Sequence, residues 1–229
     1  MTVLFVVATI TLFLAVDWIS RRRRHEETLP LSTHARAAAS GLARTPDGIF
    51  FTPSHTWLNL FPSGKVRLGV DDFVTRMIER PEITLLKAAG ETIRKGDPLL
   101  LLKEDGRNLT VRSPLDAEVL GVNDALPSHP EALKEALFSE GWAYTLKPLR
   151  FSDLRLFSLG AETRSWMRIE FGRLRDFFAT ANDPGGLLPA MLQDGGPPVA
   201  GAMKSMDEKV WHRFEEEFLG VYAEERNGQ

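Results

Sequence analysis

The sequence predicts a mainly β domain with short helices, preceded by one transmembrane helix and followed by an α-helical extension. Three observations carry this expectation. The chain opens on an uncharged apolar run closed by four arginines. Residues 49–148 consist of short strand-like runs separated by turn residues, and beyond 148 the apolar spacing becomes helical. The four segments expected are a transmembrane helix (1–20), a linker (21–48), a β domain (49–148) and a helical extension (149–229).

The opening run, "MTVLFVVATITLFLAV", continues through Trp18 and Ile19. About 19 residues at ~1.5 Å rise give roughly 28 Å, close to the hydrocarbon thickness of a bilayer. Asp17 falls at its end near the headgroups, and Trp18 suits the interface as an aromatic anchor. Arg21, Arg22, Arg23 and Arg24 follow at once, and by the positive-inside rule they stay cytoplasmic. The expected topology is a single pass through the inner (cytoplasmic) membrane, N-terminus outside and the remaining domains cytoplasmic. A cleaved signal peptide would show the reverse charge order and a small-residue cleavage site.

The linker mixes charges and turn residues, with one or two helical turns expected around Thr33 to Leu42. His25 and His34 lack partners at metal-ligand spacing and read as solvated. In the β domain, "KVRLGV" alternates Val66, Leu68 and Val70 against Lys65, Arg67 and Gly69. "LLLL" (99–102) reads as a fully buried strand. Asp105-Gly106 between two strand-like runs signals a tight hairpin, since a type I′ turn needs positive φ at both central positions. "AEVLGV" and "WAYTL" supply further strands. One short helix opens at Asp71 or Asp72, pairs Phe73 with Met77 and Val74 with Ile78, and stops before Pro81. A second is expected from a capping box of Ser128 and Glu131.

Composition narrows function. A net charge of −3 gives no basic footprint for nucleic acid, and the chain has no cysteine, which excludes disulfides, thiolate-held iron–sulfur clusters and a thiol nucleophile. There is no phosphate-binding glycine loop, no dinucleotide fingerprint, no His-Glu-x-x-His and no Cys/His cluster. No catalytic, metal or cofactor residue is assigned, and no small-molecule substrate is expected.

The ordered set "HTW" (55–57), "GKVRLGVDDF" (64–73), "GETIRKGDP" (90–98), "SPLDAEV" (113–119), "VNDAL" (122–126) and "GW" (141–142) resembles the H protein of the glycine cleavage system. The resemblance implies a lipoyl- and biotinyl-type sandwich or barrel, two small sheets related by a pseudo-twofold, with the cofactor hairpin exposed at one end. It also implies a lipoyl lysine seven residues before Ser113. That position is Gly106, which has no ε-amine for the amide bond. Lys103, three residues upstream on the strand, is the substitute if an arm is present at all. His55 matches a position the family also uses; beside Trp57 it reads as packed or capping. Asp71 and Asp72 point apart at a helix start and read as caps.

In the extension, "AETRSWMRIEFGRLRDFFATAN" spaces Met167, Phe171, Leu174 and Phe178 on one face, widened by Trp166, Ile169 and Phe177. Arg164, Arg168, Arg173 and Arg175 occupy much of the other surface, either solvated or against anionic headgroups. Residues 187–201 form an irregular Gly/Pro-rich segment, too apolar for a pure linker. The last element opens on a capping box of Ser205 and Glu208 and carries Val210, Trp211, Phe214, Phe218, Leu219 and Tyr222. The large aromatics of these two helices either seal the chain's own core or form interface anchors, a mixture being expected, and Trp166, Phe177, Phe178, Trp211, Phe214, Phe218 and Tyr222 are the candidates for binding a partner.

The functional expectation is a non-catalytic, membrane-anchored accessory or scaffold subunit of a membrane protein complex, possible hosts being respiratory or photosynthetic assemblies. Its partners would be other subunits and the lipid bilayer. The alternative is a modified carrier that delivers a one-carbon or sulfur-bearing group to a membrane enzyme.

Overall fold

The computed structural model describes residues 43–180 and 200–221, all of which fall in one unit of the chain, Ala35–Gln229. The apolar N-terminal run, Asp17, Trp18, Arg21 to Arg24, the linker turns and Tyr222 lie outside the described residues. Among the described residues no helix is long and apolar enough to cross a membrane.

Among the described residues ten strands, all paired antiparallel, form two sheets. The larger has seven strands in the order β10-β1-β2-β3-β9-β8-β5, and the smaller has three in the order β4-β6-β7. The strands are β1 (Ile49–Phe51), β2 (Thr56–Leu60), β3 (Val66–Val70), β4 (Glu82–Leu85), β5 (Thr92–Ile93), β6 (Pro98–Glu104), β7 (Arg107–Arg112), β8 (Ala117–Val122), β9 (Trp142–Pro148) and β10 (Ser158–Leu159). The expected pair of small sheets is therefore unequal. The difference comes from β1 and β10, which lengthen one sheet beyond the hairpins that build it.

Local chemistry accounts for most elements. In β3, Val66, Leu68 and Val70 are buried and Arg67 only half so, as predicted, but Gly69, expected on the outer face, is buried as well because Trp57 covers it. In β6, Leu99, Leu100 and Leu102 are buried while Leu101 is partly exposed. A fully buried run was expected there; the pleat turns Leu101 away from the core. The sheets are joined by Tyr144 of β9, whose hydroxyl donates to the Leu99 carbonyl of β6 at 2.6 Å and accepts from the Lys87 amide at 3.2 Å. Gly69 lies flat under Trp57, where a Cβ would come within 2.5 Å of the indole.

Helix α1 (Asp72–Met77) starts where predicted. Asp71 is its N-cap, accepting from the amides of Phe73 and Val74. Helix α2 (Ala132–Glu135) is shorter than predicted, and the Ser128–Glu131 capping box does not form: its N-cap is Glu131, with no side-chain cap. The amides of Ser128 and His129 are already engaged by carbonyls of the preceding turn, Ala125 and Leu126. After a 3₁₀ helix (Phe151–Leu156) and β10 comes α3 (Ala161–Thr180). Helix α4 (Glu208–Phe214) runs into a π-helical turn (Glu215–Leu219). Its cap is Asp207, accepting from the Val210 amide, rather than Ser205. The aspartate stands two residues nearer the helix and reaches the same orphan donors.

The extension is packed on the β domain. Phe177, Phe178, Trp211, Phe214 and Phe218 are all buried in the chain's own core, together with Met167, Phe171 and Leu174. This corrects the expectation that these aromatics present a partner-binding face; of that set only Trp166 keeps partial exposure among the described residues. Ile169, predicted to widen the buried face of α3, instead points outward.

Gly69→Ala is expected to destabilise the domain by about 1–3 kcal/mol, because the added methyl must displace a buried indole in a close-packed interior. Urea denaturation of the full chain measures it; a midpoint unchanged from the parent would show that Trp57 has room to move.

Candidate functional site

The hairpin singled out by the sequence is present in the expected register. Glu104 pairs with Arg107 and Lys103 with Asn108. Asp105 (φ 51°) and Gly106 (φ 80°) form the tip, both in the left-handed region, as a type I′ turn requires. The tip is exposed, and nothing lies within 4 Å of a Cβ built on Gly106. Lys103 stands on β6, about half exposed, with its amine 4.0 Å from the Glu82 carboxylate.

The flanks of the tip are held from two sides. On one, the buried Glu104 carboxylate accepts hydrogen bonds from the amides of Glu79 and Arg80, which follow α1. On the other, the Arg107 guanidinium donates to the carbonyls of Met206 and Lys204, the latter at 2.9 Å. It also lies 5.1 Å over the Trp211 ring. The C-terminal segment is anchored in turn. Gly201, Ala202 and Met203 donate to the carbonyls of Arg76 and Met77 at the end of α1, and the Trp211 indole N–H donates to the Met203 carbonyl at 2.9 Å. Lys204 pairs with Glu79. Further along β7, the Thr110 amide donates to the Glu215 carboxylate at 3.0 Å. A cavity of about 390 Å³ remains beside the tip, bordered by Lys103, Gly106, Glu79, Glu82 and Lys204, with charges of both signs.

A second cluster, less legible in sequence, sits where α3 meets the β domain. His55 adopts φ 58° in the β1–β2 turn and is fully buried. Its ring stacks on Phe73 at 3.9 Å between centroids and on Trp166 at 5.2 Å. Nδ1 lies 2.9 Å from Asp71 Oδ2, and Nε2 lies 3.7 Å from Glu170 Oε2. Glu170 is also held by Arg173, at 2.9 Å to each oxygen. Burial by itself lowers the imidazole's affinity for a proton. The charge and hydrogen bond of Asp71, and then Glu170, outweigh it and raise the His55 pKa above its ordinary 6.5. Burial likewise pushes Glu170 upward, but His55 and Arg173 bring its carboxyl below the ordinary 4.5. The two carboxylates thus favour the protonated ring more than water does, through a hydrogen bond at Nδ1 and charge alone at Nε2, which has no hydrogen-bond partner. Asp71 and Asp72 do point apart: Asp72 takes Arg44 and Arg76 instead. Among the described residues no cluster of three or more His, Asp or Glu side chains is set to hold a metal ion.

Residues 49–165, just over half the chain, match the family model described as Glycine cleavage H-protein. The chain belongs to this family. Its H-protein region extends past 148, through β10 and into the first turn of α3. A glycine cleavage system H protein of Psychrobacter sp. (strain PRwf-1) is 28% identical over 112 residues, covering 49% of this chain and 89% of that protein. A probable glycine cleavage system H protein of Thermococcus gammatolerans is 30% identical over 113 residues, covering 49% of this chain and 84% of its own. Among solved structures, a glycine cleavage system H protein from Mycobacterium marinum aligns with a TM-score of 0.41 at 18% identity, over 53% of this chain and 97% of that one. The C-terminal segment that fastens onto the hairpin lies outside the matched residues.

Two outcomes follow. Arg107→Ala removes two charge-assisted hydrogen bonds and is expected to cost about 1.5–3 kcal/mol, felt mainly in the tail. Amide exchange should accelerate over 200–221 and at Thr110 and stay slow in β3 and β9; slow exchange throughout would mean that the tail holds without this contact. The second concerns pH. A raised His55 pKa adds stability that is complete below 6.5 and is lost as pH climbs through the folded value. A lowered Glu170 pKa adds stability present above 4.5 and lost as pH falls through its folded value. Stability should thus decline on both sides of a plateau. His55→Gln should lower the plateau by about 3–5 kcal/mol, the cost of breaking a buried pair, and should flatten the alkaline limb. A variant retaining the alkaline limb would assign it to another group.

Proposed function

We propose that this chain is a non-catalytic, membrane-anchored accessory subunit in which an H-type domain serves as a docking module rather than a carrier. The observation that carries this reading is the hairpin. Where the family resemblance places an amine-bearing side chain, the chain has Gly106 at the tip of a tight Asp-Gly turn. The strands behind that tip are fastened to the chain's own C-terminal segment through Arg107, Trp211 and Glu215. A swinging arm needs a free lysine at the apex; here the apex has none and its base is tied down. The membrane component of the proposal rests on the sequence of residues 1–24, an apolar run closed by Arg21 to Arg24.

The carrier alternative has one supporting observation: the Lys103 amine is half exposed on β6 and borders the cavity beside the tip. Intact mass of the purified full chain separates the two. The unmodified mass of 25.6 kDa is expected; an increment of lipoyl size localised to Lys103 would overturn the docking-module reading. Gentle detergent extraction should recover the chain with other proteins in fixed stoichiometry. Recovery as a lone monomer would refute the subunit assignment.

A further inference from the structure

The five most exposed large apolar side chains among the described residues fall in a single stretch: Leu156 (75%), Ile169 (63%), Leu149 (57%), Phe151 (54%) and Leu159 (42%). Isolated exposed leucines are ordinary on a folded protein, but a concentration of them marks a surface used for contact. The 3₁₀ helix within this stretch is two-sided. Leu154, and Phe157 just after it, are buried, whereas Phe151 and Leu156 face outward. Arginines sit beside the exposed apolar residues. Arg150 lies between Leu149 and Phe151, Arg155 precedes Leu156, and Arg168 precedes Ile169. From 149 to 169 there are four arginines against two carboxylates, in a chain whose net charge is −3. Two of these arginines are already paired, Arg150 with Asp153 and Asp116 and Arg164 with Asp47. Among the described residues no carboxylate pairs with Arg155 or Arg168.

We infer that residues 149–169 form a lipid-facing surface that lays the H-type domain against an anionic bilayer, its apolar tips entering the headgroup region and its guanidinium groups pairing with acidic headgroups. This rests on the membrane-anchored reading above and extends it from the N-terminal segment to the folded domain. The occupant is a bilayer because the surface combines outward apolar tips with local positive charge opposite in sign to the rest of the chain. The cavities bordered by Gly106 and by Trp142 involve none of these residues, and a protein partner in place of the bilayer would give no shift on vesicles.

The absence of cysteine makes a direct test available, since one introduced thiol is unique. The full chain, carrying an environment-sensitive fluorophore on Leu156→Cys, Ile169→Cys or the remote control Leu86→Cys, is bound to vesicles of phosphatidylcholine alone or mixed with phosphatidylglycerol. The expected result is a blue shift and protection from aqueous iodide at 156 and 169 in the anionic vesicles, with neither change at 86. Arg155→Glu combined with Arg168→Glu should abolish the shift. Labels at 156 and 169 that stay as water-exposed as the label at 86, or a shift indifferent to the charge reversal, would overturn the proposal. An alkaline carbonate wash reads the anchor separately. A chain that resists the wash with aqueous labels keeps its anchor and refutes the surface; one that washes off after showing the blue shift refutes the anchor and supports the surface.

Discussion

A histidine buried between two carboxylates holds only while all three groups stay in place, because each is costly to bury alone. Here the three come from three different elements: His55 from the β1–β2 turn, Asp71 from the cap of α1 and Glu170 from the middle of α3. Asp71 caps α1 with one oxygen and meets His55 with the other. The helix that sets Phe73 in place is thus fixed by the same carboxylate that fixes the charge. Phe73 then contacts His55, Phe171, Phe214 and Phe218, so its ring touches the β domain and both parts of the extension. Through this node the tail is positioned to reach the hairpin.

Much of the β domain was legible because its signals are local. The Asp105-Gly106 turn depends on φ alone, and the alternation in β3 on a half-buried pleat. The α1 cap depends on one aspartate before an apolar pair. Failures came where a non-local partner decided the outcome. Ile169 has the right spacing for the buried face of α3, but that face is narrower than the spacing suggests, since Thr163 and Glu170 occupy part of it. Glu170 is buried as the partner of a histidine more than a hundred residues earlier. A carboxylate on an apolar face, four residues from Trp166, was the available clue.

The same limit applied to the aromatics. Trp211, Phe214 and Phe218 form a bulky stripe that fits a foreign surface or the chain's own core equally well by periodicity. What decides is Arg107, which meets the tail carbonyls and the Trp211 ring at once. An arginine just past a hairpin tip carries no such signal in sequence. Nor does the Tyr144 hydroxyl that ties the two sheets.

The Thr110–Glu215 contact has an implication for how anything can assemble on this domain. β7 is an edge of the three-stranded sheet, and an edge amide is the usual invitation for a foreign strand to extend the ladder. Here that donor is spent on a carboxylate from the chain's own π-helical turn. An incoming backbone would have to displace the carboxylate and would then meet its charge. A strand adding at this edge would therefore meet a local obstacle at Thr110, and side-chain complementarity there must outweigh a hydrogen bond the chain already makes to itself.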